Sequence, residues 1–204
     1  MQLPTIISDL DGTYVNILDV LLDRLWCSMH VTVSPECIKE YNVADCLWRH
    51  SEEIRLLFFD IAALDRFLRV SIWNSPSAYA LARPYWDWHA ALHEFSGRDG
   101  RIIFLTSRPP LTGIVKATTD WLNEMGHEDC DLRFSKAYEG GKLEAVQEVI
   151  DEAKSEVWLV DDDTSLHHAC EERSIHLLIP KRHWTIGFET ANPTATLLEA
   201  LQRK

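Results

Sequence analysis

Pro4-Thr5-Ile6-Ile7-Ser8-Asp9-Leu10-Asp11-Gly12-Thr13 is the stretch whose reading decides the fold. Residues Pro4 to Ser8 form a short, β-branched apolar run, and Asp-Leu-Asp-Gly-Thr stops it, so the segment reads as a buried strand ended by a glycine turn. Runs of the same kind recur at Arg101 to Thr106 (RIIFLT), Glu156 to Val160 (EVWLV) and Ile175 to Ile179 (IHLLI). Amphipathic helical patterns lie between and after them: Leu111 to Met125, closed by Gly126, then Lys142 to Ala153 and Thr164 to Arg173. A last helix, Thr194 to Gln202, begins after Asn192-Pro193, a cap followed by proline at the first helical position. Strands alternating with helices imply an α/β fold, a Rossmann-like and mostly parallel sheet with helices on both faces.

The stretch from Val15 to Arg83 breaks this alternation. It shows helical periodicity instead, as in Ile17, Val20, Leu21 and Leu25 and in Ile54, Leu57, Phe58 and Ile61. Residues 15–83 are therefore expected to be a helical cap, inserted after the first strand, with residues 1–14 and 84–204 forming the catalytic core. Trp26, Trp48, Trp73, Trp86 and Trp88 fall in or beside the insertion. Most are expected to fill its small core, because a satellite domain needs large side chains to bury enough area; Trp73 is set apart as a candidate ligand contact.

A chain of 204 residues can bury one sizeable core plus a small insertion. No apolar run approaches the ~18 residues that span a bilayer, and the N-terminus lacks a basic segment followed by an apolar stretch. The expected location is the cytoplasm, with no membrane partner. Five cysteines, widely spaced and without a C-x-x-C pair, read as reduced thiols. A formal charge of −12 opposes binding of a nucleic-acid polymer, whose affinity comes largely from Lys and Arg, but leaves room for a small anion held by a metal and a few cations.

In an open parallel sheet, ligands bind beyond the carboxyl ends of the strands. Three predicted strands deliver polar residues there: Asp9 and Asp11, then Thr106, Ser107 and Arg108, then Asp161, Asp162 and Asp163. Lys142 opens a helix after Gly140-Gly141. Phosphate-ester hydrolysis needs a nucleophile, an acid for the leaving oxygen, a divalent cation and donors for the phosphoryl oxygens. Asp9 with Asp162 or Asp161 offers Mg²⁺ the oxygen ligands that ion prefers, and Lys142 helps keep Asp9 ionised. Asp11 is placed to hold a proton. Backbone N–H groups of the turn at Gly12 and Thr13 are free to face a phosphate.

D-x-D-G-T, then T-S, then Lys, then D-D, in that order and at strand ends, resembles the haloacid dehalogenase superfamily of phosphatases over the whole chain. The resemblance implies Asp9 as nucleophile and Asp11 as acid/base with its backbone carbonyl on the metal. It implies Thr106 or Ser107 as phosphate donors, Lys142 as the phosphate-stabilising lysine, and Asp161 and Asp162 as further metal ligands. Lys136, between the second and last motifs, is a rival to Lys142, and Asp163 is left over as a helix cap. Within the insertion, Ile72-Trp73-Asn74-Ser75 with Tyr79, Leu81 and Pro84 is similar to the cap of 5′(3′)-deoxyribonucleotidases, where aromatic residues receive the base. Arg108-Pro109-Pro110 departs from that family's pattern.

The expected function is a Mg²⁺-dependent phosphomonoesterase acting through an aspartyl-phosphate on a small phosphorylated substrate, a nucleoside monophosphate by preference. The alternatives are a phosphatase or phosphotransferase for another small metabolite, such as a sugar phosphate, and a non-catalytic binding module. His89 and His93, at i and i+4, lack the Glu that completes H-E-x-x-H and read as surface or packing residues.

Overall fold

The computed structural model describes residues 3–188 and 192–202. After β1 (Thr5–Ser8) come a two-residue strand β2 (Val15–Asn16), the helices α1 (Ile17–Met29), α2 (Val43–His50), α3 (Glu52–Leu57), α4 (Ile61–Leu68) and α5 (Pro76–Leu81), and a second short strand β3 (Arg83–Pro84). Helices and strands then alternate as α6 (Trp86–Ser96), β4 (Ile102–Thr106), α7 (Thr112–Glu124), β5 (Asp131–Phe134), α8 (Gly141–Glu152), β6 (Val157–Val160), α9 (Leu166–Glu172), β7 (His176–Leu178) and α10 (Pro193–Gln202).

The main sheet is parallel throughout, in the order β5-β4-β1-β6-β7. β1 therefore lies at its centre, hydrogen-bonded on both sides and buried along its whole length, which explains why its sequence is a continuous apolar run. The period of two along each strand divides the interior. Ile6, Phe104, Trp158 and Val160 join one apolar cluster with Trp88, Leu92, Phe95 and Trp121, while Ile7, Ile103, Leu105 and Leu159 join another with Ala145, Val146 and Val149 of α8. Helices thus cover both faces.

β2 and β3 pair antiparallel, Val15 with Pro84 and Asn16 with Arg83, so the two ends of the helical segment leave the core side by side. Its helices start where short polar side chains satisfy first-turn N–H groups: Asn42 accepts from Asp45 N at 3.2 Å, Ser51 from Ile54 N at 3.2 Å and Asp60 from Ala63 N at 2.7 Å. Among the described residues, no helix is long and apolar enough to cross a membrane.

The tryptophans depart from expectation. Trp26 and Trp86 are 53% and 61% exposed, and Trp88 is buried beneath the sheet, where its Nε1 donates to Ser8 Oγ at 3.1 Å. The interior of the helical segment is instead largely aliphatic, built from Leu21, Leu25, Leu47, Ile54, Leu64, Leu68 and Ile72, and it is continuous with one face of the sheet. A segment that shares the main core has no need of large side chains to make its own. Among the described residues, the strands β2, β3 and β5 and the helix α6 had no counterpart in the sequence analysis. β5 is a half-buried edge strand, DLRF, whose charged Asp131 and Arg133 mask a strand pattern in the way edge strands avoid unwanted pairing.

Candidate active site

The carboxyl ends of β1, β4 and β6 lie side by side because these strands are neighbours in the sheet. Asp9 N continues the ladder onto Val160 O at 2.9 Å, and Asp161 N donates to Leu178 O at 3.2 Å. Asp9 and Asp161 therefore emerge from adjacent strands at matching height. Lys142, in the first turn of α8, is held between them, its Nζ 2.9 Å from Asp9 Oδ1 and 2.7 Å from Asp161 Oδ2. Lys136 lines the same cavity but lies on the short 3₁₀ turn before α8.

Asp162 is fixed differently. Thr13 Oγ1 donates to its Oδ1 at 3.0 Å and Trp184 Nε1 to its Oδ2 at 2.8 Å, while its own backbone N–H donates to Thr13 Oγ1. Gly12 has φ +85°, and a Cβ there would overlap the Asp162 carboxylate, so both the backbone conformation and the close approach require glycine. Asp163 turns away from this group, accepting from Ser165 N at 3.0 Å in the turn before α9.

Carboxylate oxygens of Asp9, Asp161 and Asp162 lie within 4.8 Å of one another, and all three residues are buried. Three carboxylates against one ammonium leave two negative charges uncompensated. Burial, with the charges of Asp161 and Asp162 behind it, pushes the Asp9 carboxyl well above the usual range against the opposing pull of Lys142. Burial and Asp161 push Asp162 up to about 7. Burial also disfavours the Lys142 charge, but Asp161 and Asp9 outweigh it and hold the ammonium firmly protonated. An all-oxygen donor set with surplus negative charge out of water fits a hard divalent cation such as Mg²⁺.

Asp11 faces another way. Arg108 Nε and Nη2 grip both of its oxygens, at 2.9 and 2.7 Å, and Arg108 Nη1 donates to Thr118 Oγ1 at 2.8 Å. The guanidinium is buried and lies flat over the Tyr79 ring, 3.5 Å from its centroid, and Tyr79 OH donates to Trp73 O at 2.7 Å. Tyr79 is thus fully buried, with one face taken by Arg108. Trp73 is partly exposed and lines the cavity. A stretch of π-type turns, Arg69–Trp73, closed by Asn74 N to Arg69 O at 2.7 Å, brings Arg69, Trp73 and Asn74 to that wall.

The cavity encloses about 480 Å³ between the strand ends and the helical segment. Asp9, Asp11, Gly12, Ser107, Arg108, Lys142 and Asp162 form its polar end. Ser107 Oγ is 3.1 Å from Ser135 Oγ. Thr106 is buried and accepts from Arg108 N at 3.2 Å, and Thr13 serves Asp162; contrary to expectation, the backbone N–H groups of Gly12 and Thr13 are not free for a phosphate, because they donate within the turn to Val15 O at 2.9 Å and Leu10 O at 3.2 Å. Arg182 and Trp184 were not anticipated. Arg182 donates to the carbonyls of Gly12 and Thr13 at 2.7 and 2.8 Å and stacks on Tyr85, bracing the turn that carries Asp11. The signal was present in Lys181-Arg182-His183-Trp184, a polar loop just past the run Ile175 to Ile179, where loops converge on ligands.

Neither a protein-family model nor a curated protein matches the sequence. Solved structures do match the fold. A haloacid dehalogenase-like hydrolase from Streptococcus pneumoniae aligns with a TM-score of 0.59 at 13% identity, over 97% of this chain and 90% of the other. A haloacid dehalogenase-superfamily hydrolase of subfamily IA from Geobacter sulfurreducens aligns with 0.58 at 14%, over 90% and 94%. A haloacid dehalogenase family hydrolase from Deinococcus radiodurans, solved with bound phosphate and sodium, aligns with 0.55 at 12%, over 97% and 88%. With its central parallel sheet and the helical segment after β1, the chain has the fold of the haloacid dehalogenase superfamily of hydrolases.

Proposed function

We propose that the protein is a Mg²⁺-dependent phosphomonoesterase that forms an aspartyl-phosphate on Asp9 and acts on nucleoside monophosphates. The observation that carries this reading is the buried Asp9–Lys142–Asp161 bridge beside Asp162 at the polar end of the cavity. A nucleophile, a fixed cation and a carboxylate set suited to a divalent ion converge there, as phosphoryl transfer demands. Asp9, Asp161, Asp162 and the Asp11 backbone carbonyl would hold the ion. Bound Mg²⁺ supplies positive charge that offsets the charge building on the phosphoryl oxygens.

Asp9 attacks phosphorus as the P–O bond to the leaving group breaks, and the leaving oxygen takes a proton from Asp11. Water then attacks the phospho-aspartate, giving its proton to Asp11 as the bond to Asp9 breaks and inorganic phosphate leaves. Lys142 holds Asp9 in place and neutralises phosphoryl charge. Because Arg108 grips both oxygens of Asp11, the proton transfers require Asp11 to swing off Arg108. Tyr79 ties Arg108 to α5, so we assign residues 15–83 the role of a cap whose movement accompanies that release.

Substrate choice falls to the wall opposite the phosphate end. Trp73 offers an aromatic face there, and Asn42, Asn74 and Arg69 offer polar groups, a combination suited to a base and its edge. Five free cysteines support a cytoplasmic location. The test is a panel of phosphate esters run on the wild type and on Trp73→Ala. Base stacking is worth about 1–3 kcal/mol, so Trp73→Ala should lower kcat/KM for a nucleotide roughly ten- to a hundredfold while sparing nitrophenyl phosphate. Equal losses on both would end the nucleotide assignment and leave a phosphatase for another small ester.

A further inference from the structure

Beneath the opposite side of the turn that follows β1, three imidazoles face one another. α6 presents His89 and His93 one turn apart, and the loop after α7 adds His127. Ring centroids are 4.4 Å apart for His89 and His93, 4.8 Å for His93 and His127 and 6.3 Å for His89 and His127, and one nitrogen from each ring lies within 4.8 Å of the others. None of the three lines the catalytic cavity.

Each ring also has an oxygen partner, and two of them share one. The buried Tyr14 hydroxyl lies 2.8 Å from His89 Nδ1 and 3.0 Å from His127 Nε2, and His93 Nε2 is 2.7 Å from Met125 O. A carbonyl only accepts, so His93 Nε2 carries the hydrogen and Nδ1 keeps the lone pair; metal binding further requires His89 and His127 both to donate to the Tyr14 oxygen, with the Tyr14 hydrogen turned away from both rings, so that His89 Nε2 and His127 Nδ1 keep their lone pairs. A hydrogen bond from the second ring nitrogen to an oxygen is the arrangement that orients metal-ligating histidines.

We propose that His89, His93 and His127 form a second metal site, for a Zn²⁺-class transition ion, that staples α6 to the loop after α7. Three imidazoles suit Zn²⁺, Co²⁺, Ni²⁺ or Cu²⁺ and reject Mg²⁺, which takes oxygen ligands at the carboxylates. Zinc–nitrogen bonds of about 2.0–2.1 Å put ligand nitrogens about 3.3 Å apart in a tetrahedral site, so the rings must turn inward from the separations of up to 4.8 Å seen here. His93 is exposed, which leaves that side of the cluster open to water as a fourth ligand.

The experiment uses the full chain, stripped with a chelator and kept in excess Mg²⁺, titrated with Zn²⁺ by calorimetry and with Co²⁺ by visible absorption. The wild type should take up one Zn²⁺ with a Tm rise of roughly 5–10 °C at a hundred times Kd, and give the intense bands of nitrogen-ligated four-coordinate cobalt. His93→Ala, an exposed change, should fold as judged by circular dichroism yet bind at least about a hundredfold more weakly, beyond what losing an outer partner causes. His93→Gln should behave likewise. A wild type that takes up no Zn²⁺ under these conditions overturns the assignment, as does a His93→Ala chain with unchanged affinity and cobalt spectrum.

Discussion

Replacing Lys142 by Met tests the charge balance on which the candidate site depends. Methionine fills a similar volume, so packing is nearly kept while the ammonium is lost from its place 2.9 Å from Asp9 and 2.7 Å from Asp161. The lysine side chain is 10% exposed and those of its partners 7% and 1%, so water cannot replace the missing charge. Removing one member of a buried ion pair costs about 3–5 kcal/mol. For a chain of this size each kcal/mol moves Tm by about 2–4 °C, which gives a fall of roughly 6–20 °C. Scanning calorimetry in EDTA measures it. Mg²⁺ should recover part of the loss by restoring positive charge, while turnover stays depressed about a hundred- to a thousandfold, as for loss of one charge-stabilising donor. A variant whose Tm in EDTA stays within about 2 °C of wild type refutes the reasoning, because the carboxylates would then not depend on Lys142.

Asp9→Asn should abolish turnover in a single-turnover phosphate-release assay, since an amide neither attacks phosphorus nor carries the charge. It removes one buried carboxylate from a crowded group, so its metal-free Tm should equal or exceed that of wild type; a large drop would contradict this. Asp162 titrates at about 7 when folded, against about 3.9 in an unfolded chain. Its contribution to metal-free stability is therefore complete below about pH 4 and lost as pH rises through about 7. The rise in Tm on adding Mg²⁺, which takes the proton's place, should grow over that window; the same rise at about pH 5 and about pH 8 would count against the assignment. Gly12→Ala should cost about 1–2 kcal/mol for the left-handed backbone alone, and more as its Cβ pushes Asp162 off Thr13 and Trp184. Mg²⁺ affinity read by the Tm shift should fall with it, and an unchanged shift would argue against Asp162 as a ligand.

Much of the architecture is legible locally. The runs around Ile6, Phe104 and Leu159 mark strands because burial on both faces demands continuous apolar sequence, and Asp-Gly, Gly140-Gly141 and Asn192-Pro193 mark turns and caps through backbone preference. Asn192 does accept from Ala195 N, at 3.3 Å. β5 escaped because a half-buried edge strand carries charge, and the exposed Trp26 and Trp86 misled because aromatic content alone does not say which core a side chain joins.

What the sequence by itself determined was four of the five strands of the main sheet, the break in alternation at residues 15–83, and which reactive residues stand at strand ends. Only the tertiary structure decided who meets whom there. The order β5-β4-β1-β6-β7 is not the chain order, and it sets Asp9 beside Asp161 with Lys142 between them. It also gives Asp11 to Arg108, which in turn lies on Tyr79, and brings Trp184 to Asp162 and His127 to the pair on α6. Local propensity and periodicity act over a few residues and report how each segment buries itself. Partners separated by tens of residues are chosen by strand adjacency and by helix packing across the sheet, which exist only once the chain has closed on its core.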